Sequence, residues 1–326
     1  MSSNQPQDYS SILINAFARL HMGFLDLNGM HGRQFGSLGL GLSAPDTLIE
    51  VAKGYEVFGK NAAGEYVEKS KRKILEHANI TVDVSIKVHR DIPRHFGLGS
   101  GTQMALAVGA GLNQLFDLNL TPADIALITG RGLRSGIGIG TFENGGLVLD
   151  GGRGSKTVNP PIISQQTFPQ DWRVLLIFDH QHVGVHGDEE IEAFARLENA
   201  GLEETQSNCY EVLMHALPAV RECDLETFGK AISALQAYTG DYFAPVQGGR
   251  YASQAVSEVL HDLIKQGVKC VGQSSWGPTG FAVFESEQVA QQYLQELKQK
   301  FTKPQLSWLI CEARNSGAII NEGIKP

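Results

Sequence analysis

The chain has 326 residues, 42% hydrophobic and 19% charged, with a formal net charge of −8. That length and composition predict about two globular domains with a sizeable core and exclude wholesale disorder. An acidic chain lacks the basic stripe that a nucleic-acid partner needs, and no apolar run is long enough to span a membrane.

Residues 1–10 are polar, lack the apolar core of a signal peptide and read as a disordered tail. The four cysteines, Cys209, Cys223, Cys270 and Cys311, are scattered and form no CxxC pair. They suit buried thiols in a reducing compartment, so the expected location is the cytoplasm. Residues 11–18 are rich in apolar residues and predict a strand, followed by the polar pair Arg19 and His21. Residues 35–42, FGSLGLGL, suit a strand or turn with a close backbone approach. Residues 46–58 read as a strand pair and 64–78 as a charged helix. From Ile80 to Val88 apolar and polar residues alternate, which predicts a half-buried antiparallel strand.

The stretch PRHFGLGSGTQ, residues 93–103, joins that strand to a helix marked by Met104, Val108, Leu112 and Leu115. Gly109 and Gly111 inside the helix cost about 1 kcal/mol each against alanine, so they predict close packing on a sheet. Thr121, Pro122 and Asp124 open a second helix that runs to about Arg131: cap, first-turn proline, and an acid at the third position. A short strand is expected at 147–150 and a linker between two halves at 154–171. In the second half, 173–178 reads as a buried strand, and 188–266 as mostly helical with a break at 238–240. Strands follow at 268–273 and 281–284, then a helix at 287–301 and a strand at 306–312. That order is the split βαβ of a ferredoxin-like sandwich.

Three glycine-rich loops stand at strand ends or helix starts: 97–103, 131–146 and 272–280. A glycine turn running into a helix presents free backbone N–H groups and the positive end of the helix dipole, a setting for phosphate. Arg94, Arg131, Arg134 and Arg153 lie in or beside the first two loops, which suits a polyanionic ligand and equally a solvated surface. The run Asp179-His180-Gln181-His182, continuing to His186, offers zinc ligands or a solvated loop; Asp179 offers Mg²⁺ a carboxylate beside substrate phosphates. Trp276, in a glycine–proline turn, reads as a structural plug or a stacking platform.

In order along the chain, Ala18-Arg19-Leu20-His21, Gly97-Leu98-Gly99-Ser100-Gly101-Thr102 and Ser274 to Gly280 resemble the three motifs of the GHMP kinase superfamily. The resemblance implies an α+β fold of two domains. An N-terminal half like ribosomal protein S5 domain 2 would cover 11–165, and a ferredoxin-like C-terminal half 166–326. Gly138 departs from the kinases, since it stands where their catalytic aspartate is expected. The segments ARLHMGFLDLNG, RQFGSLGLGL, GLGSGTQMALAVG, RGLRSGIGIGTFENGG and QSSWGPTG resemble a narrower, non-kinase branch, the β-ribofuranosylaminobenzene 5′-phosphate synthase family.

That resemblance implies condensation of phosphoribosyl pyrophosphate with 4-aminobenzoate, with release of CO₂ and pyrophosphate, in tetrahydromethanopterin biosynthesis. Mg²⁺ is the implied cofactor, with Asp179 as a ligand, and a homodimer is an expectation from the resemblance alone. It implies catalytic roles for Arg19, His21, Arg134 and Ser135. Gly97, Gly99, Ser100, Gly101, Thr102 and Arg131 would bind phosphate, and Phe96, Ser274, Ser275, Trp276 and Thr279 would bind substrate. Two alternatives stay open: an ATP-dependent kinase using Glu143 or Asp150, and a non-catalytic sugar-phosphate or nucleotide sensor.

Overall fold

The computed structural model describes residues 11–54, 64–182, 184, 192 and 197–322. The expected tail at 1–10 and His186 lie outside the described residues, as do parts of the expected strand pair at 46–58 and of the helical region at 188–266.

Strict alternation organises the first sheet. Strand β1 (Ser11–Asp26) buries every second residue from Ile12 to Leu20 and continues through Arg19 and His21 as one strand. Strand β2 (Arg33–Lys53) lies antiparallel to it, so the glycine-rich stretch and the segment after it form one long element rather than two. Strand β3 (Val84–Arg90) pairs antiparallel with β2 and begins later than the alternation from Ile80 implied. The Ile80 N–H instead bonds the carbonyl of Leu75 at 2.9 Å, closing the end of helix α1 (Glu65–His77), and Val82 is left exposed.

Strands β4 (Leu147–Asp150), β5 (Arg153–Gly154) and β6 (Ile162–Gln166) extend the sheet, so part of the expected linker is sheet edge. Prolines beside a polar edge strand had hidden it, because an edge tolerates polar residues that a central strand would not. At the other edge β11 (Ile319–Glu322) pairs antiparallel with β1. The end of the chain thus returns to the first sheet, whose order is β11-β1-β2-β4-β6 with β3 and β5 also on β2.

Helices α2 (Ser100–Phe116), α3 (Pro122–Thr129) and α4 (Ile137–Asn144) join α1 in packing this sheet around Ile14, Val51, Met104, Val108 and Ile125. The capping box at Thr121 and Asp124 forms as expected. Gly109 and Gly111 sit where a Cβ would stand 2.2 Å from Ile125 Cγ2 and 2.6 Å from Val51 Cγ2, so the helix approaches its neighbours closely at both.

The second sheet has the antiparallel order β10-β7-β9-β8, built from β7 (Arg173–Asp179), β8 (Val271–Gln273), β9 (Gly280–Phe284) and β10 (Leu306–Glu312). This is the ferredoxin-like arrangement. Helix α5 (Leu202–Tyr210) passes through a π-helical turn (Glu211–Ala216) into α6 (Leu217–Glu222). Helices α7 (Leu225–Gln247), α8 (Gln254–Lys265) and α9 (Glu287–Lys300) follow. Helix α7 runs unbroken through Tyr238, Thr239 and Gly240. Gly240 is a contact point and not a break, since a Cβ there would come within 2.7 Å of the Arg250 carbonyl. One core joins the halves: Leu20, Leu38 and Leu40 of the first sheet meet Val174, Leu176 and Phe281 of the second, with Phe228 and Leu235 of α7 between them.

Candidate active site

The glycine loop after β3 brings the two halves together. Gly99 caps α2 with φ of 79°, a left-handed geometry that places the first-turn N–H groups of Ser100 and Gly101 at the loop's open side. Gly97 lies backbone to backbone against the third loop: a Cβ on Gly277 would stand 2.3 Å from the Gly97 nitrogen. The Gly97 carbonyl accepts from the Arg19 guanidinium and, at 2.8 Å, from the Ser274 hydroxyl. Ser274 Oγ in turn accepts from the His21 N–H at 3.0 Å, and the Arg19 N–H bonds the Leu98 carbonyl at 3.0 Å. All three superfamily-like motifs therefore meet at one seam.

Beside that seam is a cavity of about 420 Å³. Gly97, Gly99, Ser100, Gly101 and Thr102 line it from the loop and α2, Arg19 from β1, Arg131 from the end of α3, and Ser275 and Trp276 from the third loop. Arg94, expected from the sequence beside a polyanion, also lines it, as do Tyr66, Asp91 and His95, which had not been assigned from the sequence. Three guanidinium groups thus face a helix start, with Asp91 the one carboxylate among the lining residues. Asp91 accepts from Thr47 Oγ1 at 3.0 Å and from Arg94 Nε at 3.3 Å. Such a concentration of donors and positive charge suits a polyphosphate.

Tyr66, in the first turn of α1, donates its hydroxyl to the Gly101 carbonyl. Its ring lies against two of the guanidiniums, with Arg131 Cζ 4.8 Å and Arg94 Cζ 5.6 Å from the ring centroid. Burial pushes the Tyr66 phenol up, opposed by Arg131 and Arg94, so the hydroxyl keeps its proton.

The remaining candidates, Trp276 apart, lie off this cavity. His21 is buried, and among the described residues neither ring nitrogen has a hydrogen-bond partner. Burial, with the Arg19 charge second, lowers it to about 3, so the imidazole is neutral at physiological pH. It lines a separate space of about 10 Å³, which shares Ser275 with the larger cavity. Phe96 packs edge-on against Phe178, with ring centroids 5.7 Å apart. Ser274 and Thr279 are buried in the third loop, and Ser274 serves as the cross-link just described. Trp276 lines the cavity but is itself only 3% exposed, its ring centroid 4.0 Å from that of Phe243.

Arg134 does not line the cavity. Ser135 donates to Asp150 Oδ2 at 3.1 Å, and Asp150 also accepts from Ser37 Oγ at 2.8 Å, Gly136 N at 2.8 Å and Gly152 N at 2.9 Å. Burial pushes the Asp150 carboxyl up and these hydrogen bonds oppose it. Asp150, Ser135 and Ser37 form a buried knot that holds the second glycine loop to β2. Asp179, read as a metal ligand, instead accepts from Ser253 Oγ at 2.6 Å at the start of α8 and from the Gln181 N–H at 3.0 Å. His180 bonds Ser307 at 2.7 Å, and no group of three His, Cys, Asp or Glu poised for a metal occurs among the described residues. No helix among them is long and apolar enough to cross a membrane.

The architecture and this seam define a protein of the GHMP kinase superfamily: the GHMP kinases N terminal domain matches residues 65–144 and GHMP kinases C terminal matches residues 216–303. Solved structures of that fold superpose over nearly the whole chain. A homoserine kinase from Cytophaga hutchinsonii gives a TM-score of 0.68 at 17% identity, covering 98% of this chain and 100% of that one. A mevalonate diphosphate decarboxylase from Staphylococcus aureus gives 0.66 at 16%, covering 96% and 98%. In sequence, the β-ribofuranosylphenol 5′-phosphate synthase of Archaeoglobus fulgidus is 35% identical over 320 residues, 93% of this chain and 97% of its own length. That of Methanocaldococcus jannaschii is 37% identical over 303 residues, 83% and 89%. The chain belongs to this synthase family, a family of enzymes within the GHMP superfamily.

Proposed function

We propose that this enzyme joins the ribose carbon of phosphoribosyl pyrophosphate to a para-substituted benzoate, releasing pyrophosphate and CO₂. The observation that carries the reading is the cavity itself, in which Arg19, Arg94 and Arg131 converge with the α2 start on space for a polyphosphate. The absence of a kinase-like acid at Gly138 supports it. A Cβ there would stand 2.8 Å from Thr102 Cγ2, so α4 packs against α2 where a kinase would present its aspartate. Of the two other acids a kinase could use, Asp150 is occupied by four hydrogen bonds, and Glu143 is exposed and does not line the cavity.

The chemistry requires no hydroxyl deprotonation. The C1–O bond of the ribose breaks and its electron pair leaves with pyrophosphate, which the arginines and helix N–H groups stabilise. The ring carbon bearing the carboxylate, made electron-rich by the para group, bonds to the cationic C1. The C–COO⁻ bond then breaks, CO₂ departs and its electron pair restores the aromatic ring. The protein supplies charge, orientation and exclusion of water.

The relatives' name gives the product as a ribofuranosylphenol, whereas the motif resemblance implied the aminobenzene analogue. We take the acceptor to be 4-aminobenzoate or its 4-hydroxy counterpart, with a product destined for tetrahydromethanopterin. Asp91, Ser100 and Thr102 present an oxygen donor set that suits Mg²⁺ shared with substrate phosphates, and they would hold it. The ion would offset charge on the departing pyrophosphate. Carboxyl-labelled acceptor, phosphoribosyl pyrophosphate and Mg²⁺ are incubated with the protein and the gas is trapped. Labelled CO₂ is expected from one of the two acceptors, and none from either overturns the proposal.

A further inference from the structure

We infer that Tyr66 is a positioning residue for the pyrophosphoryl group: its ring face sets the Arg94 and Arg131 guanidiniums over the start of α2. The inference rests on the function proposed above only for the identity of the anion. Its basis is geometric. Arg94 and Arg131 come from different segments, a loop after β3 and the end of α3, yet both lie against the one ring, at 5.6 and 4.8 Å. The ring is carried by the α1 backbone and packed beside the start of α2, where its hydroxyl also bonds the Gly101 carbonyl. Gly101 makes that approach possible. A Cβ there would stand 3.2 Å from Tyr66 Oη and 3.4 Å from Arg131 Nη1, so the glycine leaves the first turn of α2 open to both side chains.

Both guanidiniums are long, rotamer-rich side chains that would otherwise sample many orientations at the cavity mouth. A ring face attracts both and restricts them to the plane from which they reach a polyphosphate, so less rotamer freedom is lost on binding. A monophosphate needs fewer than three guanidiniums and a helix terminus, whereas a pyrophosphate carries the charge and span to meet them all.

The test uses inorganic pyrophosphate as the probe, with affinity measured by calorimetry on the full chain. Tyr66→Leu is expected to weaken binding about tenfold, the scale of one to two cation–ring contacts, and Tyr66→Phe to stay within about threefold of the parent. In turnover, Tyr66→Leu is expected to raise KM for the phosphorylated substrate more than it lowers kcat. Should Tyr66→Leu unfold, Arg131→Lys takes its place: it keeps the charge, loses the planar contact and is expected to lose about as much affinity. Unchanged pyrophosphate affinity in the folded variant overturns the inference, as does a Tyr66→Phe loss equal to that of Tyr66→Leu. Because the probe needs no acceptor or turnover, failure of the synthase reading leaves this result standing, and the reverse also holds.

Discussion

Gly138 and Thr102 touch so closely that a single added carbon would stand 2.8 Å from the threonine Cγ2. The Gly138 carbonyl also accepts the buried Gln103 side chain at 2.9 Å. The place where a kinase of this fold would carry its acid is therefore the contact between two helices. Gly138→Ala is expected to cost about 1 kcal/mol net, as overpacking of roughly 1–3 kcal/mol outweighs about 1 kcal/mol of helix propensity. In a Thr102→Ser background, which removes the offending methyl, the same change becomes neutral or stabilising. Denaturant unfolding of the four proteins measures the coupling; additive effects would contradict the contact.

Arg131 and Arg134 sit three positions apart, but only Arg131 lines the cavity. Arg131→Ala should raise KM for the phosphorylated substrate at least tenfold, about the loss of one charge-assisted contact of roughly 1.5–3 kcal/mol. Arg134→Ala should change it far less. Steady-state kinetics at two salt concentrations separate them, and equal effects would return Arg134 to the site.

His21 is buried as a neutral ring, lowered to about 3 by desolvation and then by Arg19. The unfolded chain takes up that proton below about pH 6.5 while the folded one does not. Stability from this group is therefore complete above that pH and falls as pH drops towards 3, by about 1.4 kcal/mol per unit. Urea unfolding at pH 7, 6 and 5 should show His21→Gln losing less stability on acidification than the parent. Parallel profiles would contradict a buried neutral histidine.

Ser135 belongs to the knot around Asp150. Asp150→Ala leaves the Ser37, Ser135, Gly136 and Gly152 donors without their acceptor, and is expected to cost about 2–4 kcal/mol. Ser135→Ala, which removes one donor, is expected to cost about 1 kcal/mol and to leave kcat within threefold. Thermal melts alongside kinetics decide it: a kcat collapse without loss of stability would make Ser135 catalytic.

The frame and the seam were legible in the sequence because both rest on local signals. An apolar run marks β1 and alternation marks β3, the Thr121 cap marks α3, and the glycine motifs mark the three loops that meet at Gly97. What stayed hidden depends on packing across the chain. Tyr66 is one aromatic in a charged helix, and nothing local says that Arg94 and Arg131 will converge on it. Asp91 carried a faint signal, an acid three residues before Arg94 beside the glycine loop. Asp179 and His180 read as ligands because sequence shows donor types and not their existing partners, here Ser253 and Ser307. Gly240 resembled a helix break because a glycine chosen for close contact and one chosen for a turn are the same letter.

The central claim is a pentosyl transfer coupled to decarboxylation, independent of ATP. Pyrophosphate and CO₂ are quantified in one reaction of the protein with phosphoribosyl pyrophosphate, Mg²⁺ and the accepted benzoate, with ATP withheld. The account expects equal amounts of both, formed at the same rate. Pyrophosphate without CO₂, or product only when ATP is supplied, would contradict it.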